Sequence, residues 1–581
     1  VACVSPSVRR DRLIAAAVLL LTAMCFAGVV RHQFVFDDDP LIKENPRLRS
    51  WNYFPGYFQL HLAGHIYPLG NYYRPVLLTW MRLNYALFGV ESASGWHAAT
   101  LLAHLACTLL VYFIARRIAG NEWAAGMAGL LFGLHPVHVE CVAWIMGVTE
   151  PLAAAFTLGA FLAYLRWREA GGAGWPWAAV VLFVLGLLAK ENAVVLPGIL
   201  FLYEFTRGRK RLDGAEASAD TAPLTPIESG KEAFRHVLPF ALAVAIYLVV
   251  RLQMLGALTY PMTPLPAATT LLTIPSVLVF YLKLLLWPLN LSVAYDLPYV
   301  TEAGANSFWL PLLVCLAAGA ALARVAWRSA RAATATAWLV LPMIPLLNLA
   351  VFPRGEAVHD RYLYFPSVGF CLLLGLALGE LHRLAPRVPA GLVLGGALAL
   401  AYGAISFDIQ KHWRDNLSLY TRGHSVAPGN IMSANNLGRT LFDLGKEEEG
   451  RRLFFQVIER DPHYWVALFN LGFSEYRRGN YLQAEEYLRR AIAAEPREPD
   501  PHVRLGVTLW RMGRAREGVA AIEHAIRLRP TAQGYHFALG VILEANGLLK
   551  EALHEFDIEL AAHPDQPAVR RQRDALAARL K

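Results

Sequence analysis

Four blocks at the C-terminal end of this chain carry the same residues in the same register, and this regularity restricts the fold more than any other feature. Leu437-Gly438, Leu471-Gly472, Leu505-Gly506 and Leu539-Gly540 recur every 34 residues. Gly445, Gly479, Gly513 and Gly547 each follow seven residues later, and Pro462, Pro496, Pro530 and Pro564 close the blocks. The first glycine of each block permits close approach of two backbones, the second supplies a turn, and the proline stops a helix. A fixed period of this size reads as a stacked array in which each block buries its apolar face against its neighbours.

Period and internal spacing resemble tetratricopeptide repeats, which implies a helix-turn-helix in every block. The chain ahead of the array is different in kind. The sequence is 56% hydrophobic and 17% charged, with a mean hydropathy of +0.36, values typical of a polytopic membrane protein. Long apolar runs fill residues 1–405, whereas residues 411–581 are rich in Arg, Glu and Ala. The expected fold class is therefore all-α: a membrane helix bundle over 1–410, a linker or entry helix at 411–430, and a four-repeat solenoid with a capping helix at 431–581. The net charge of +9 is read as arginines at helix ends, so no nucleic-acid partner is expected. Six scattered cysteines form no CxxC pair and read as buried small residues.

Arg9, Arg10 and Arg12 precede an 18-residue apolar run, Leu13 to Val30, which is long for a signal peptide and reads as a retained first span. Further spans are expected to begin near 96, 122, 150, 175, 193, 236, 308, 332, 366 and 388, giving about eleven. Leu271 to Leu289 contains Pro275, Lys283 and Pro288 and is expected to be re-entrant or interfacial. Basic clusters at Arg116-Arg117, 166–168, 207–211, 324–331 and 383–387 mark the cytoplasmic side. With the N-terminus inside, the repeats lie outside, and so do the informative polar motifs.

Those motifs are modest one by one. Phe34-Val35-Phe36-Asp37-Asp38-Asp39 could supply a general base, because adjacent carboxylates raise one another's pKa; it could equally be a solvated helix cap. Asn71-Tyr72-Tyr73-Arg74-Pro75 offers a guanidinium for a phosphate or sugar, or an interfacial anchor. His135, His138 and Glu140 have a spacing compatible with zinc, but Pro136 and the want of a further ligand favour a hydrogen-bonding rim, and no metal is assigned. Lys190-Glu191 lies at the tip of a hairpin between Trp175 and Phe205, as a functional pair or a self-satisfied one. In His359-Asp360-Arg361-Tyr362-Leu363-Tyr364, an arginine among aromatics suits a lipid-linked phosphate, with an aromatic belt as the alternative.

Their order is specific. FVFDDD, YYRP, LFGLHPVHVECVAWI, LLAKEN and DRYLYFPSVGF, followed by the array, resemble the transmembrane-and-tetratricopeptide-repeat O-mannosyltransferases and their bacterial relatives, of the GT-C glycosyltransferases. The resemblance implies inverting transfer of a sugar, mannose above others, from a polyprenyl-phosphate carrier to a hydroxyl of a polypeptide held in the repeat groove. It places the catalytic carboxylate on Asp38 or Asp37, with Asp38 favoured. It makes Arg361 a carrier-phosphate contact, with Lys190, Arg74 and Tyr362 beside it, and Glu140 the acid of the second outer loop, with His135 and His138. A divalent metal is left open. Val148-Thr149-Glu150 departs from the basic-acidic pair common in relatives. Composition is compatible with a bacterial inner membrane, a cytoplasmic N-terminus and a periplasmic array. A non-catalytic envelope scaffold and a transporter of a lipid-linked sugar are the competing readings.

Overall fold

The computed structural model describes residues 6–59, 61–62, 72–212, 226–259, 265–304, 306–352, 356–384 and 389–580. Cys3, Asn71, Arg354 and Arg387, and the side chains of residues 208–211, lie outside what is described. Every regular element among the described residues is helical. The chain divides into two units, Val1–Val426 and Ala427–Lys581, so the helix Asn416–Val426 belongs to the first.

In the second unit, four helix pairs run from Ile431–Asp443 with Glu447–Arg460 to Tyr535–Ala545 with Leu549–Ala562, and Pro567–Arg579 closes the stack. The repeated residues do what their chemistry requires. Gly445, Gly479, Gly513 and Gly547 turn the chain at φ between +80° and +82°, where a side chain is strained. A Cβ on Gly438, Gly472, Gly506 or Gly540 would stand 2.5–2.8 Å from Phe454, Leu488, Ile522 or Phe556 of the paired helix.

Among the described residues of the first unit nine helices are long and apolar enough to cross a membrane, and a tenth candidate is a pair bent by 48° between Glu122–Leu134 and Pro136–Ala143. Three places depart from the expected spans. The legs expected from 175 and 193 are Trp177–Ala189, of 13 residues, and Leu196–Leu212, of 17, both short for a span. The stretch from 122 breaks at His135, which is extended, because Pro136 cannot continue the helical bonding. Ala267–Leu286 is a continuous helix despite Pro275 and meets the length and apolarity of a span. Its polar contacts nevertheless join loops: Tyr281 donates to the Ala357 carbonyl at 3.5 Å, Thr273 accepts from Val300 N at 3.0 Å, and the Leu285 carbonyl lies 3.2 Å from His135 Nε2.

Charged groups sort to two ends of this bundle. One end holds Arg10 with Glu122, Asp11 with Arg116 at 3.0 Å, Arg117 with Glu169 at 3.3 Å, and Arg168 with Glu204 at 2.8 Å. Arg331 joins that end by donating to the Ala119 carbonyl at 3.1 Å. The other end gathers Asp37, Glu140, Glu150, Lys190, Glu191 and Arg361. Between them lies a helix core with fully buried Trp96, Trp338, Phe132, Phe161 and Phe183.

Candidate active site

The three adjacent aspartates have three different surroundings. Asp38 is fully buried, and both its oxygens accept backbone N–H groups, from Val35 at 3.0 Å and from Met146 at 3.1 Å. It ties the loop after the first long helix to the bend after Trp144. Asp39 pairs with Lys43 at 2.7 Å, one turn along and half exposed. Asp37 stands between them with a partly buried carboxyl. Burial pushes it up to about 6, and the Arg361 guanidinium pulls in the opposite direction.

The backbone that presents Asp37 is strained. Phe36 has φ of +58°, in the left-handed region disfavoured for a residue with a Cβ. Its N–H donates to Asn416 Oδ1 at 3.0 Å, and its ring packs on Trp144 at 5.2 Å and Tyr420 at 6.5 Å. Gln33 N donates to the Arg414 carbonyl at 2.9 Å. The segment that follows the last long helix therefore braces the first loop.

Arg361 is fixed by Glu140, which is buried on the short helix Val139–Ala143 beyond the His135-Pro136 break. Glu140 accepts from Arg361 N at 2.9 Å and from its guanidinium, and His359 Nδ1 lies 3.7 Å away. The guanidinium also sits 5.4 Å from the Trp144 ring and 5.0 Å from Tyr362. Lys190 forms a buried ion pair with Glu150 and lies 5.6 Å from the Tyr362 ring. Arg74 forks Glu191 at 2.7 and 3.2 Å and lies 4.4 Å from Tyr72. Burial alone would lift Glu191, but Arg74 overrides it and holds the carboxyl at about 2. Three cations thus stand around Tyr72 and Tyr362, each already oriented by a carboxylate.

The two histidines are not at an open rim. Both are fully buried, His135 with Nδ1 accepting from Val137 N at 3.4 Å and His138 with Nε2 against Ser367 Oγ at 2.8 Å. They hold the elbow that brings Glu140 to Arg361, and the expectation of ligand contact is corrected accordingly. Among the described residues no group of three metal-ligating side chains is found.

Sequence reasoning missed Glu356, Trp144 and Asn416. Burial and the charge of Asp37 push the Glu356 carboxyl up to about 7, against the pull of Arg361. An isolated Glu in a loop carries no pattern that would have singled it out. Trp144 lies within LFGLHPVHVECVAWI, where residue type alone gives a tryptophan no specific role.

Comparison with known proteins supports both halves. Residues 73–215 match the family model "Dolichyl-phosphate-mannose-protein mannosyltransferase", and residues 435–499 and 503–567 match "Tetratricopeptide repeat". The chain is 27% identical to protein O-mannosyl-transferase Tmtc3 of Drosophila melanogaster, over 84% of this chain and 60% of that protein. It is 26% identical to protein O-mannosyl-transferase F38B6.6 of Caenorhabditis elegans, over 76% and 61%. The human TMTC4 protein O-mannosyl-transferase is also 26% identical, over 74% and 64%. The chain thus spans about three fifths of the length of these relatives. Together the two family matches and these relatives support a place for the chain in the transmembrane-and-tetratricopeptide-repeat O-mannosyltransferase-like family.

Proposed function

We propose that the protein is a membrane glycosyltransferase that moves a sugar, mannose above others, from a polyprenyl-phosphate carrier to a hydroxyl of a protein acceptor. The observation that carries the proposal is the position of Asp37, a partly buried carboxylate beside a guanidinium that Glu140 already holds in place. The acceptor oxygen attacks the anomeric carbon while its proton passes to an Asp37 oxygen, inverting the centre. The bond from that carbon to the phosphate oxygen breaks, and its electron pair leaves with the polyprenyl phosphate. Arg361 stabilises the charge gathering on the phosphate, aided by Lys190 and Arg74, and Tyr72 and Tyr362 flank it. Cations fixed beforehand by Glu140, Glu150 and Glu191 need little reorganisation as that charge develops. Asp38, whose two oxygens are both occupied, positions the loop and leaves the base to its neighbour. No step requires a metal, though an added divalent ion could assist the phosphate.

The arginine-rich end reads as cytoplasmic. Counting the bent pair and the two shorter helices as crossings, with Ala267–Leu286 lying at the site end, gives eleven and leaves the repeats on the site's side of the membrane. There they would present the polypeptide acceptor.

The test is transfer from radiolabelled polyprenyl-phosphate mannose to envelope proteins, in membranes holding the intact chain, Asp37→Asn, Asp38→Asn or Arg361→Gln. Transfer by the intact chain, with loss in Asp37→Asn and weakened donor use in Arg361→Gln, supports the reading. A folded protein inert with mannose, glucose and arabinose carriers alike would refute it and favour a scaffold.

A further inference from the structure

Arg74, Lys190 and Arg361 each have a carboxylate partner, but Arg82 has none among the described residues. It lies eight residues beyond Arg74, in the helix Pro75–Phe88, or about 12 Å along the axis at a rise of 1.5 Å per residue. Arg82 is only 7% exposed, and its Nε and Nη1 are buried with no hydrogen-bond partner among the described residues. Among the described residues no acid pairs with it, and residue 60 and the segment 63–71 contain no Asp or Glu. Its guanidinium lies 4.5 Å from the ring of Trp51 and 6.0 Å from that of Tyr85. An aromatic face attracts a cation but does not replace the acceptors a buried guanidinium requires. A buried cation of this kind is stable when an anion joins it.

The surroundings indicate where that anion comes from. Trp51, Tyr53 and Phe58 are exposed on the 3-10 helix Trp51–Phe58, which packs against Pro75–Phe88. Leu83 and Leu87 are exposed on the latter helix. Aromatic and aliphatic side chains displayed together beside a membrane bundle are suited to the headgroup layer, where rings sit between acyl chains and water. The abundant anion of that layer is lipid phosphate.

We infer that Arg82 binds the phosphate ester of a membrane lipid, with Trp51 as its movable cover. Trp51 is itself exposed, so its ring can turn away and leave the donor nitrogens to phosphate oxygens. The inference does not depend on sugar transfer, since it requires only that the bundle lie in a bilayer.

Full-length protein is purified in detergent, and binding of phosphatidylglycerol is followed by native mass spectrometry for the unaltered chain, Arg82→Gln and Arg82→Lys. The lipid should bind at least tenfold more weakly to Arg82→Gln, with partial recovery in Arg82→Lys. Equal retention by Arg82→Gln would overturn the inference and leave Arg82 as a stacked packing residue. Competition identifies the source: displacement by polyprenyl phosphate assigns the site to the carrier, and resistance to it assigns the site to bilayer phospholipid. Displacement by inorganic phosphate at equal concentration would overturn a lipid site in favour of a simple anion site. Should Arg82→Gln fail to fold, a phosphatidylglycerol with a photoreactive headgroup is applied to the unaltered chain. Labelling within residues 46–59 or 75–90 is expected, and labelling confined elsewhere would overturn the proposal.

Discussion

Replacing Asp37 by Asn should make the protein more stable and less active at once, and the sign of each change follows from the carboxyl's surroundings. Its pKa rises from 3.8 to about 6, first through burial, with Arg361 opposing. Between those values the folded chain keeps a proton that the unfolded chain has lost. Stability from this group is therefore full below pH 4 and declines as pH rises to about 6. At ~1.4 kcal/mol per unit the ceiling is ~3 kcal/mol, and residual solvent contact reduces it to about 1–2 kcal/mol. Asn cannot ionise, so the variant should match the parent at pH 4 and exceed it by that amount above pH 6.5. The shift is read as unfolding midpoints by tryptophan fluorescence in detergent, at pH 4 and 7.5. Transfer should fall by about 10²–10⁴, and the acidic limb of kcat/KM near pH 6 should disappear. Arg361→Gln should move that limb upward, because the charge that holds Asp37 down is gone. A variant no more stable than the parent at pH 7.5, with the limb intact, would refute the reasoning and the choice of base.

Asp38→Asn should lose about 1–3 kcal/mol at pH 4 because one of the two N–H groups loses its acceptor, a loss partly offset at pH 7.5 because burial pushes the Asp38 carboxyl up and Asn cannot ionise. Glu140→Gln strands the Arg361 charge and should cost about 3–5 kcal/mol, with partial recovery in the double variant Glu140→Gln/Arg361→Met, seen by the same melting assay. Gly369→Ala should abolish accumulation of folded protein, since a Cβ there would meet Leu339 N at 2.2 Å and the Ala335 carbonyl at 2.3 Å; Gly396→Ala, in open space, should be tolerated. Removing residues 427–581 should abolish modification of a protein acceptor while sparing slow hydrolysis of the donor, measured as released mannose.

The array was legible in the sequence because its rules are local. Gly445 and its equivalents turn the chain, and Gly438 and its equivalents admit a neighbouring side chain, whatever surrounds the unit. The membrane half was legible in class but not in detail. Apolarity alone does not distinguish a crossing from Ala267–Leu286, whose partners at Val300 and Ala357 are fixed by tertiary structure. At the site, motif order brought Asp37, Arg74, Glu140, Lys190 and Arg361 to notice. Composition could not separate three consecutive aspartates, because their differences arise from Met146, Lys43 and Arg361, residues from three different parts of the chain. His135 and His138 looked like ligand contacts for the same reason: a sequence shows donors but not the Ser367 and Leu285 oxygens beside them.

The bracing of the first loop by Arg414 and Asn416 has a mechanical consequence. The helix Asn416–Val426 is tied to the bundle at both of its halves, by Arg422 donating to the Leu291 carbonyl at 3.3 Å and by the bonds to Gln33 and Phe36 at its start. Phe36 is the strained residue immediately before Asp37, so any slackening of that brace is felt first in the backbone that aims the carboxylate.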